Sequence, residues 1–373
     1  MKKILFSTTS FDHIDNGPAL FANLAYKNFH NNKEFDVRIL TEDVCDHKLD
    51  DRIYKVKLKK NRFNESFYQF IRIFYYHREA KIISKIFNYD ILVYNNAFTG
   101  FLSALFFKKK VVVMINDDNN MTHKYKKNNY KLYVKFQILR WLEKVTAKKS
   151  FKVIVNSNFL RDALVKEYKI PKNKIFKLYK GIPLSDYTYR ERLEMKKPVE
   201  VLFVKADFIR GGLLEVIEAI SLIKEIEFRL IIIGPQLKFK PFILDSLKEK
   251  KIDNYVFLGP QSPKTVKQYL NSTDIFCVPS KKEALGVANM EALASGLPVI
   301  STNIGGIPEV LNNGKCGWII RPNDPLVLSE AIKECIFNNE LRIKKSIEGH
   351  KFIQKFDSRH LINNFSKLLD KCL

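Results

Sequence analysis

The stretch Ser280–Thr302, SKKEALGVANMEALASGLPVIST, places two glutamates, Glu283 and Glu291, eight residues apart around a short apolar run. The residues just before it, DIFCVPS, predict a buried strand that ends at Ser280, so Glu283 falls in the loop at the carboxyl end of that strand. A helix is expected to begin near Gly286 and to end at a Gly296 cap, where Pro298 blocks its continuation.

This arrangement leaves the backbone N–H groups of residues 284–287 without helical partners, and such a helix N-terminus suits a phosphate group. Carboxylates repel phosphate, so Glu283 and Glu291 are expected to accept hydrogen bonds from hydroxyl groups on either side of it. A molecule with a diphosphate in the middle and a hydroxyl-bearing ring at each end is a nucleotide sugar. The stretch therefore predicts a nucleotide-sugar site.

Outward from this stretch, short apolar strands alternate with helical patterns over most of the chain. Continuous apolar strands are typical of parallel sheets that are covered on both faces. The alternation lapses once, in the polar segment that follows residue 180. The sequence therefore predicts an α/β protein with two doubly wound, Rossmann-like domains whose strand ends meet at a central cleft. The predicted parts are a domain over 1–180, a second over 181–355 with a linker over 181–198, and a C-terminal helix over 356–373 that packs back on the first domain.

The composition excludes several classes of protein. Five scattered cysteines without C-x-x-C spacing indicate neither a disulfide framework nor a zinc site, which favours a reducing cytoplasm. The apolar run at the start, MKKILFST, is too short for a signal-peptide core and predicts a first strand. The sequence has no run of about 18 apolar residues, so no transmembrane helix is expected. A nucleotide-dependent oxidoreductase would need a G-x-G-x-x-G turn after its first strand, where this chain has only Asn16-Gly17-Pro18.

The positive charge is concentrated in the first half. Residues 1–180 hold 36 Lys and Arg against 17 Asp and Glu, a net charge of +19, whereas residues 181–373 hold 28 against 23, a net charge of +5. Within 59–86, aromatic side chains are interleaved with cations at helical spacing, as suits the surface of an anionic bilayer. The expected membrane contacts are Lys59, Lys60, Arg62 and Arg72. The alternative is an ordinary covering helix with its aromatics in the core and lysines that only solvate the surface.

The pattern E-x7-E followed by A-x-A-x-G-x-P-V-I, and then NIGGIPEVLNNGKCGWII, resembles the retaining glycosyltransferases of family 4, which have the GT-B fold and use nucleotide sugars. The similarity extends over nearly the whole chain. It includes the Gly17-Pro18 loop, VIVNSNFLRDAL, the KGIPL segment and LFVKADFIRGG. The C-terminal block carries the specific part of the match, and the first domain, where this family binds its acceptor, matches loosely.

The resemblance implies roles for individual residues. Glu291 would hold the ribose hydroxyls and Glu283 the hydroxyls of the transferred sugar, while Lys205 and Arg210 would neutralise the leaving diphosphate. Asn116 and Asp117 stand near the transferred sugar, where many members have a histidine. The remaining donor contacts would come from Gly17, Gly234, Ala284, Leu285, Gly286 and Val287. No metal and no cofactor is expected, because these enzymes use cations and helix dipoles at the diphosphate.

Three segments depart from the family pattern. The usual R-K-G is here Arg210-Gly211-Gly212, so its lysine is missing, while Lys205 stands where glycine or arginine is common. Asn116-Asp117 replaces the histidine, and Ala284 replaces a glycine. These departures leave open a donor-binding partner subunit without activity.

The resemblance therefore predicts transfer of a hexose-type sugar from a UDP-sugar to a glycan or lipid-linked acceptor in cell-surface polysaccharide synthesis. The enzyme is expected in the cytoplasm, attached peripherally to the inner face of the cell membrane. The alternatives are the inactive subunit and a basic nucleic-acid-binding protein, although no nucleic-acid-binding module is recognisable.

Overall fold

The computed structural model describes residues 1–12, 17–30, 32–44, 51–58, 68–122 and 130–372. The chain forms two compact units. The first unit comprises Met1–Gly181 together with Ser358–Leu373, and the second comprises Ile182–Asp357.

The first unit is built on a parallel sheet that has seven strands among the described residues, in the order β3-β2-β1-β4-β5-β6-β7. Its strands are β1 Lys2–Thr8, β2 Phe35–Thr41, β3 Ile53–Lys55, β4 Ile91–Tyr94, β5 Lys110–Ile115, β6 Lys152–Val155 and β7 Ile175–Lys177. Its helices are α1 Gly17–Phe29, α2 Tyr68–Ile86, α3 Phe101–Phe106, α4 Asn119–Thr122, α5 Tyr130–Lys149 and α6 Asn158–Ala163, and α6 continues as a π-helical turn over Leu164–Tyr168.

The second unit has a parallel sheet of six described strands in the order β10-β9-β8-β11-β12-β13. Its strands are β8 Val199–Val204, β9 Phe228–Ile233, β10 Tyr255–Gly259, β11 Ile275–Cys277, β12 Val299–Thr302 and β13 Trp318–Ile320. Its helices are α7 Phe208–Gly211, α8 Leu213–Leu222, α9 Lys240–Glu249, α10 Pro263–Ser272, α11 Val287–Ala294, α12 Ile307–Val310, α13 Pro325–Phe337 and α14 Asn339–Ile353. The predicted fold class, two doubly wound α/β domains, is confirmed.

The last helix, α15 Ser358–Cys372, belongs to the first unit. Its Phe365 is fully buried and lies edge-on to the rings of Phe21 and Phe6, at centroid distances of 5.2 and 6.2 Å. At the end of the same helix, Lys2 forms an ion pair with Asp370 at 2.5 Å. The helix therefore completes the core that β1 and α1 begin.

The segment after Gly181 packs as part of the second unit. Its Arg192 is buried, and the guanidinium Nη2 donates hydrogen bonds to the carbonyls of Leu270 and Asn271 at 2.8 and 3.0 Å. A buried guanidinium without acceptors would be costly, so these carbonyls fix the course of the segment. The residues between 181 and 198 thus have defined positions on one unit.

None of the described helices is both long enough and apolar enough to cross a membrane.

Candidate active site

The loop of Glu283 is held in place by its backbone. The N–H of Lys281 donates to the carbonyl of Arg210 at 2.7 Å, and the Thr302 hydroxyl donates to the carbonyl of Ser280 at 2.6 Å. Gly305, with a φ of +60°, passes so close that a Cβ on it would lie 1.6 Å from the carbonyl oxygen of Glu283. Only glycine fits at this crossing, which explains the first glycine of the NIGGIPEV motif.

Lys205 lies directly after β8, and its amine meets this loop. Its Nζ donates to Glu283 Oε2 at 2.6 Å and to the Ser280 hydroxyl at 3.1 Å. Both members of the ion pair keep about a quarter of their side chain exposed, at 21% and 26%. The predicted sugar-binding carboxylate and the predicted phosphate-binding cation are therefore in direct contact.

Gly211 occupies the position at which the family pattern has a lysine, and there is little space for a side chain there. A Cβ at Gly211 would lie 2.6 Å from Cζ of Phe203 and 3.2 Å from both Cβ and Cδ of Lys205. The Lys205 side chain thus packs against the position at which the pattern has its lysine. Because Lys205 carries an ammonium at the same edge of the sheet, the unit retains a cation there.

Gly234 follows β9 and adjoins Lys205. Its N–H donates to the carbonyl of Gly259 at 2.8 Å, and its φ is +111°. A Cβ there would lie 2.6 Å from the carbonyl carbon of Lys205. The glycine allows two backbones to approach at the carboxyl ends of neighbouring strands, the usual position of ligands in such sheets.

Helix α11 begins as the sequence predicts. Gly286 has a φ of +93° and adds no side-chain cap, and among the described residues nothing accepts a hydrogen bond from the N–H groups of Leu285 to Ala288. The N–H of Ala284 reaches only the Glu283 carboxylate, at 3.2 Å. At the other end, the N–H groups of Gly296 and Leu297 bond back to Leu293 and Ala292, a Schellman cap.

Glu291 is half-buried on α11, and its Oε1 accepts a hydrogen bond from the Tyr187 hydroxyl at 2.9 Å. Burial raises the pKa of the Glu291 carboxyl above its ordinary value, and the Tyr187 hydrogen bond acts in the opposite direction. Burial and the adjacent carboxylate raise the pKa of Tyr187, which therefore stays protonated as a donor. The hydrogen bond fixes one carboxylate oxygen and leaves the other without a protein partner among the described residues.

Arg210 lies on the short helix α7 at the edge of this group. The helix is capped by Asp207, whose Oδ1 accepts from the Arg210 N–H at 3.0 Å. The guanidinium forms a long ion pair with Asp207 at 3.4 Å and is 43% exposed. Its side chain is therefore available to a ligand, unlike that of Lys281, which pairs with Glu215 at 2.5 Å.

In the first unit, the predicted residues lie at the carboxyl ends of other strands. Asn116 follows β5, and its amide donates to the carbonyl of Asn95 at 2.6 Å, while its own carbonyl accepts from Asn156 at 3.0 Å. Asp117 is exposed, and its Oδ1 accepts from the N–H of Asn119 at 2.9 Å. Gly17 is the first residue of α1. The structure thus places Asn116 in a row of amides and leaves Asp117 accessible.

The predicted membrane contacts are described only in part. Arg72 forms an ion pair with Glu42 at 2.8 Å, and its guanidinium stacks on the Tyr68 ring at 4.6 Å from the centroid. Lys59, Lys60 and Arg62 lie outside the described residues. Membrane contact through these residues stays a prediction.

Three contacts of the second unit were not predicted from the sequence. Tyr187 was part of a predicted linker, Ser280 was the end of a strand, and Gly305 was one letter of a motif. The NIGGIPEV glycine pair could have pointed to a close backbone crossing. Nothing in the residue pattern connects Tyr187 with Glu291, because their contact depends on how the segment after residue 181 packs.

Two family models match the chain in succession. Residues 28–186 match the model described as Glycosyltransferase Family 4, and residues 187–351 match that of Glycosyl transferases group 1. The second match contains every predicted site residue of the second unit.

Among curated relatives, an uncharacterized glycosyltransferase of Methanocaldococcus jannaschii is 28% identical over 62% of this chain and 63% of its own length. The putative colanic acid biosynthesis glycosyltransferase WcaL of Salmonella typhimurium is 29% identical over 46% of this chain and 44% of its own. The matched part of the chain thus spans less than two thirds of each relative.

Among solved structures, a glycosyltransferase of Rickettsia africae aligns with a TM-score of 0.75 at 20% identity, covering 100% of this chain and 98% of that chain. Anabaena HepE, in complex with UDP-glucose, aligns with a TM-score of 0.75 at 16% identity over 100% of both chains. At such identities the likeness shows the fold.

The two sheets and these matches define the class: the chain has the GT-B fold, and two glycosyltransferase models match it in succession over residues 28–351. Its first unit corresponds to the domain of the family 4 model and its second to that of the group 1 model.

Proposed function

We propose that the chain transfers a hexose-type sugar, with retention of anomeric configuration, from a UDP-sugar to a glycan or lipid-linked acceptor. One observation carries the proposal: the Lys205–Glu283 ion pair stands directly before the N–H groups that open α11, and Glu291 lies on that same helix. A cation, free N–H donors and two carboxylates are the groups that a sugar diphosphate needs.

The chemistry follows from these groups. As the glycosidic bond breaks, negative charge develops on the leaving diphosphate, and Lys205, Arg210 and the α11 N–H groups stabilise it more strongly in the transition state than in the ground state. An ammonium has three N–H donors, so Lys205 can keep its bond to Glu283 and also donate to a phosphate oxygen. Glu283 accepts hydrogen bonds from the sugar, and Glu291 from the ribose.

The choice of UDP is supported by HepE, a structural neighbour solved with UDP-glucose. The test is a thermal-shift screen against UDP, GDP, ADP and their sugars, because a ligand that binds only the folded state raises its melting temperature. We expect UDP and a UDP-sugar to give the largest shifts. Larger shifts with GDP or ADP would reassign the base.

Hydrolysis of the stabilising UDP-sugar without acceptor separates an enzyme from an inactive donor-binding subunit. The anomeric proton of the released sugar, followed by NMR before mutarotation, reports the stereochemistry. Retention gives the anomer of the donor, and appearance of the opposite anomer contradicts the proposed mechanism. Binding without any hydrolysis or transfer favours the inactive subunit.

Three observations support a role in polysaccharide synthesis at an anionic membrane. WcaL, a relative, is named for colanic acid biosynthesis. In the first unit, the adjacent helices α2, α3 and α5 expose large apolar side chains, namely Phe74, Phe106 and Trp141, each more than half exposed. The net charge of +19 over residues 1–180 complements anionic lipid.

A further inference from the structure

Lys180 is a buried cation to which neither the family resemblance nor the proposed donor chemistry assigns a role. It follows β7 in the KGIPL segment, and only 6% of it is exposed. Among the described residues, nothing accepts a hydrogen bond from its amine. A buried lysine is normally paired, since taking an ammonium out of water is costly.

The amine lies at the beginning of α1. A Cβ on Gly17, the first residue of that helix, would lie 3.3 Å from both Cδ and Nζ of Lys180. Helix α1 has 13 residues and no acidic side chain in its first turn. Its positive N-terminal dipole and the lysine therefore repel each other unless an anion lies near both.

Among the described residues, one carboxylate acts on this charge and none forms an ion pair with it. Burial lowers the pKa of Lys180 to about 7, and the carboxylate of Asp117 acts in the opposite direction. Asp117 is exposed and already accepts the N–H of Asn119, so its carboxylate interacts with Lys180 without a hydrogen bond. An anionic ligand would complete the hydrogen bonding of the amine and offset the cost of its burial.

We propose that the first unit binds an anionic group of the acceptor, a phosphate or a carboxylate, at Lys180 and Gly17, the first residue of α1. Gly17, which the family resemblance assigns to the donor, would thereby contact the acceptor. The exposed Asp117 carboxylate then accepts a hydrogen bond from a neighbouring hydroxyl of the same molecule. The acceptor is an acidic or phosphorylated sugar unit. Its being an acceptor rests on the proposed function, whereas the binding of an anionic sugar does not.

The experiment is calorimetric titration of the full chain with glucuronate, glucose 6-phosphate and neutral glucose, with saturating UDP present to occupy the donor site. We expect both charged sugars to bind at least tenfold more tightly than glucose. The tighter of the two identifies the carboxylate or the phosphate as the natural group.

Three variants locate the site. Lys180→Met should reduce the affinity for the charged sugars to that for glucose, whereas Lys180→Arg should retain part of the preference. Lys172→Met is the matched control, because Lys172 is an exposed lysine next to β7. It should behave as the wild type. The melting temperature of Lys180→Met should equal or exceed that of the wild type, because the substitution removes a buried amine that has no hydrogen-bond partner among the described residues. Such a result excludes unfolding as the cause.

Equal affinity of the wild type for glucose and the charged sugars overturns the inference, and so does unchanged binding in Lys180→Met. A separate UDP titration isolates the proposed function. If UDP binds and no preference for anionic sugars appears, this inference alone fails. If anionic sugars bind through Lys180 and UDP does not bind, the proposed donor chemistry alone fails.

Discussion

Glu291 accepts one hydrogen bond from Tyr187 and offers its second oxygen to a ligand. We predict that Glu291→Gln weakens UDP binding about 10- to 100-fold, because a charged acceptor contributes roughly 1.5–3 kcal/mol to a hydrogen bond. Calorimetry with UDP is the measurement. Glu249→Gln, an exposed glutamate at the end of α9, is the control and should bind UDP normally. Unchanged UDP affinity in Glu291→Gln would contradict the assignment of Glu291 to the ribose hydroxyls.

The raised pKa of Glu291 gives a dependence on pH with a defined sign. UDP affinity should be constant while Glu291 is ionised and fall as the pH drops through its pKa, beginning at a higher pH than for an ordinary glutamate. In the ligand-free protein, the free energy of unfolding depends on pH in the opposite direction to UDP affinity. The folded state binds this proton more tightly than the unfolded state, so the contribution of Glu291 to the free energy of unfolding declines as the pH rises through its pKa. Titrations of the wild type and Glu291→Gln should differ in both respects, and parallel profiles would contradict the assignment.

Lys205 and Arg210 are assigned to the departing diphosphate, so their loss should affect turnover more than donor affinity. We predict that Lys205→Ala and Arg210→Ala each lower turnover by about 10². The measurement is hydrolysis of the UDP-sugar beside calorimetry with the same ligand. Lys248→Ala, an exposed lysine of α9, should change neither. Equal losses in turnover and affinity would indicate that the cations bind only the ground state.

For the individual residues of the candidate site, the sequence indicates the types of residue better than their contacts. Glu283 and Glu291 became candidates because a motif spaces them, and Lys205 because the segment LFVKADFIRGG resembles the family. The structure brings Lys205 and Glu283 together. Tyr187 and Lys180 could not be predicted, since their positions depend on tertiary packing beyond the strand and helix pattern. The packing of Gly211 against Lys205 likewise needed coordinates, although the missing lysine was visible in the sequence.

Among the elements, the loop between β12 and α12 restrains the Glu283 loop through Gly305. We predict that Gly305→Ala lowers the free energy of unfolding by about 3 kcal/mol or more, because its Cβ would overlap the Glu283 carbonyl. Gly314→Ala is the matched control. Gly314 also has a positive φ, +90°, but the nearest atom to its Cβ would be 4.0 Å away, so only the strain of about 1 kcal/mol remains. Urea unfolding measures both, and equal losses would show that the contact itself contributes nothing.

Apolar strands and helix caps are visible in the sequence pattern. Helix α13 begins at Pro325, and the Asp324 carboxylate accepts the N–H of Val327 at 3.1 Å, as its sequence indicates. Strands β3 and β13 do not stand out in the sequence. Each has three residues and lies at the edge of its sheet, so neither shows the apolar run that marks a buried strand.

For the whole molecule, the uneven charge leads to a prediction about membranes. The wild type should sediment with anionic vesicles at low salt, and replacement of Lys59, Lys60, Arg62 and Arg72 by Gln should release it, since each cation near such a surface contributes about 1 kcal/mol. Because Arg72 already pairs with Glu42, we expect the other three to account for most of the effect. Hydrolysis of the UDP-sugar should be nearly intact in the variant. A wild type that stays in solution at low salt would contradict membrane attachment.

The core of the first unit depends on the end of the chain. We predict that Phe365→Ala lowers the free energy of unfolding by about 3–5 kcal/mol, because a fully buried phenylalanine is removed from among three other rings. Phe337→Ala should change it by less than about 0.5 kcal/mol, since Phe337 is 64% exposed. Denaturant unfolding followed by near-ultraviolet circular dichroism measures both. Similar values for the two variants would show that α15 adds little to the core.

The position of α15 also determines the order in which the two units can fold during translation. The ribosome releases the chain from its N-terminus, so the first 181 residues emerge long before Phe365 does. The second unit is uninterrupted in sequence and can reach its native structure while translation continues. Until the 16 residues Ser358–Leu373 have emerged, the first unit lacks the helix that packs on β1 and α1. We therefore expect chaperones to protect this unit of the nascent protein.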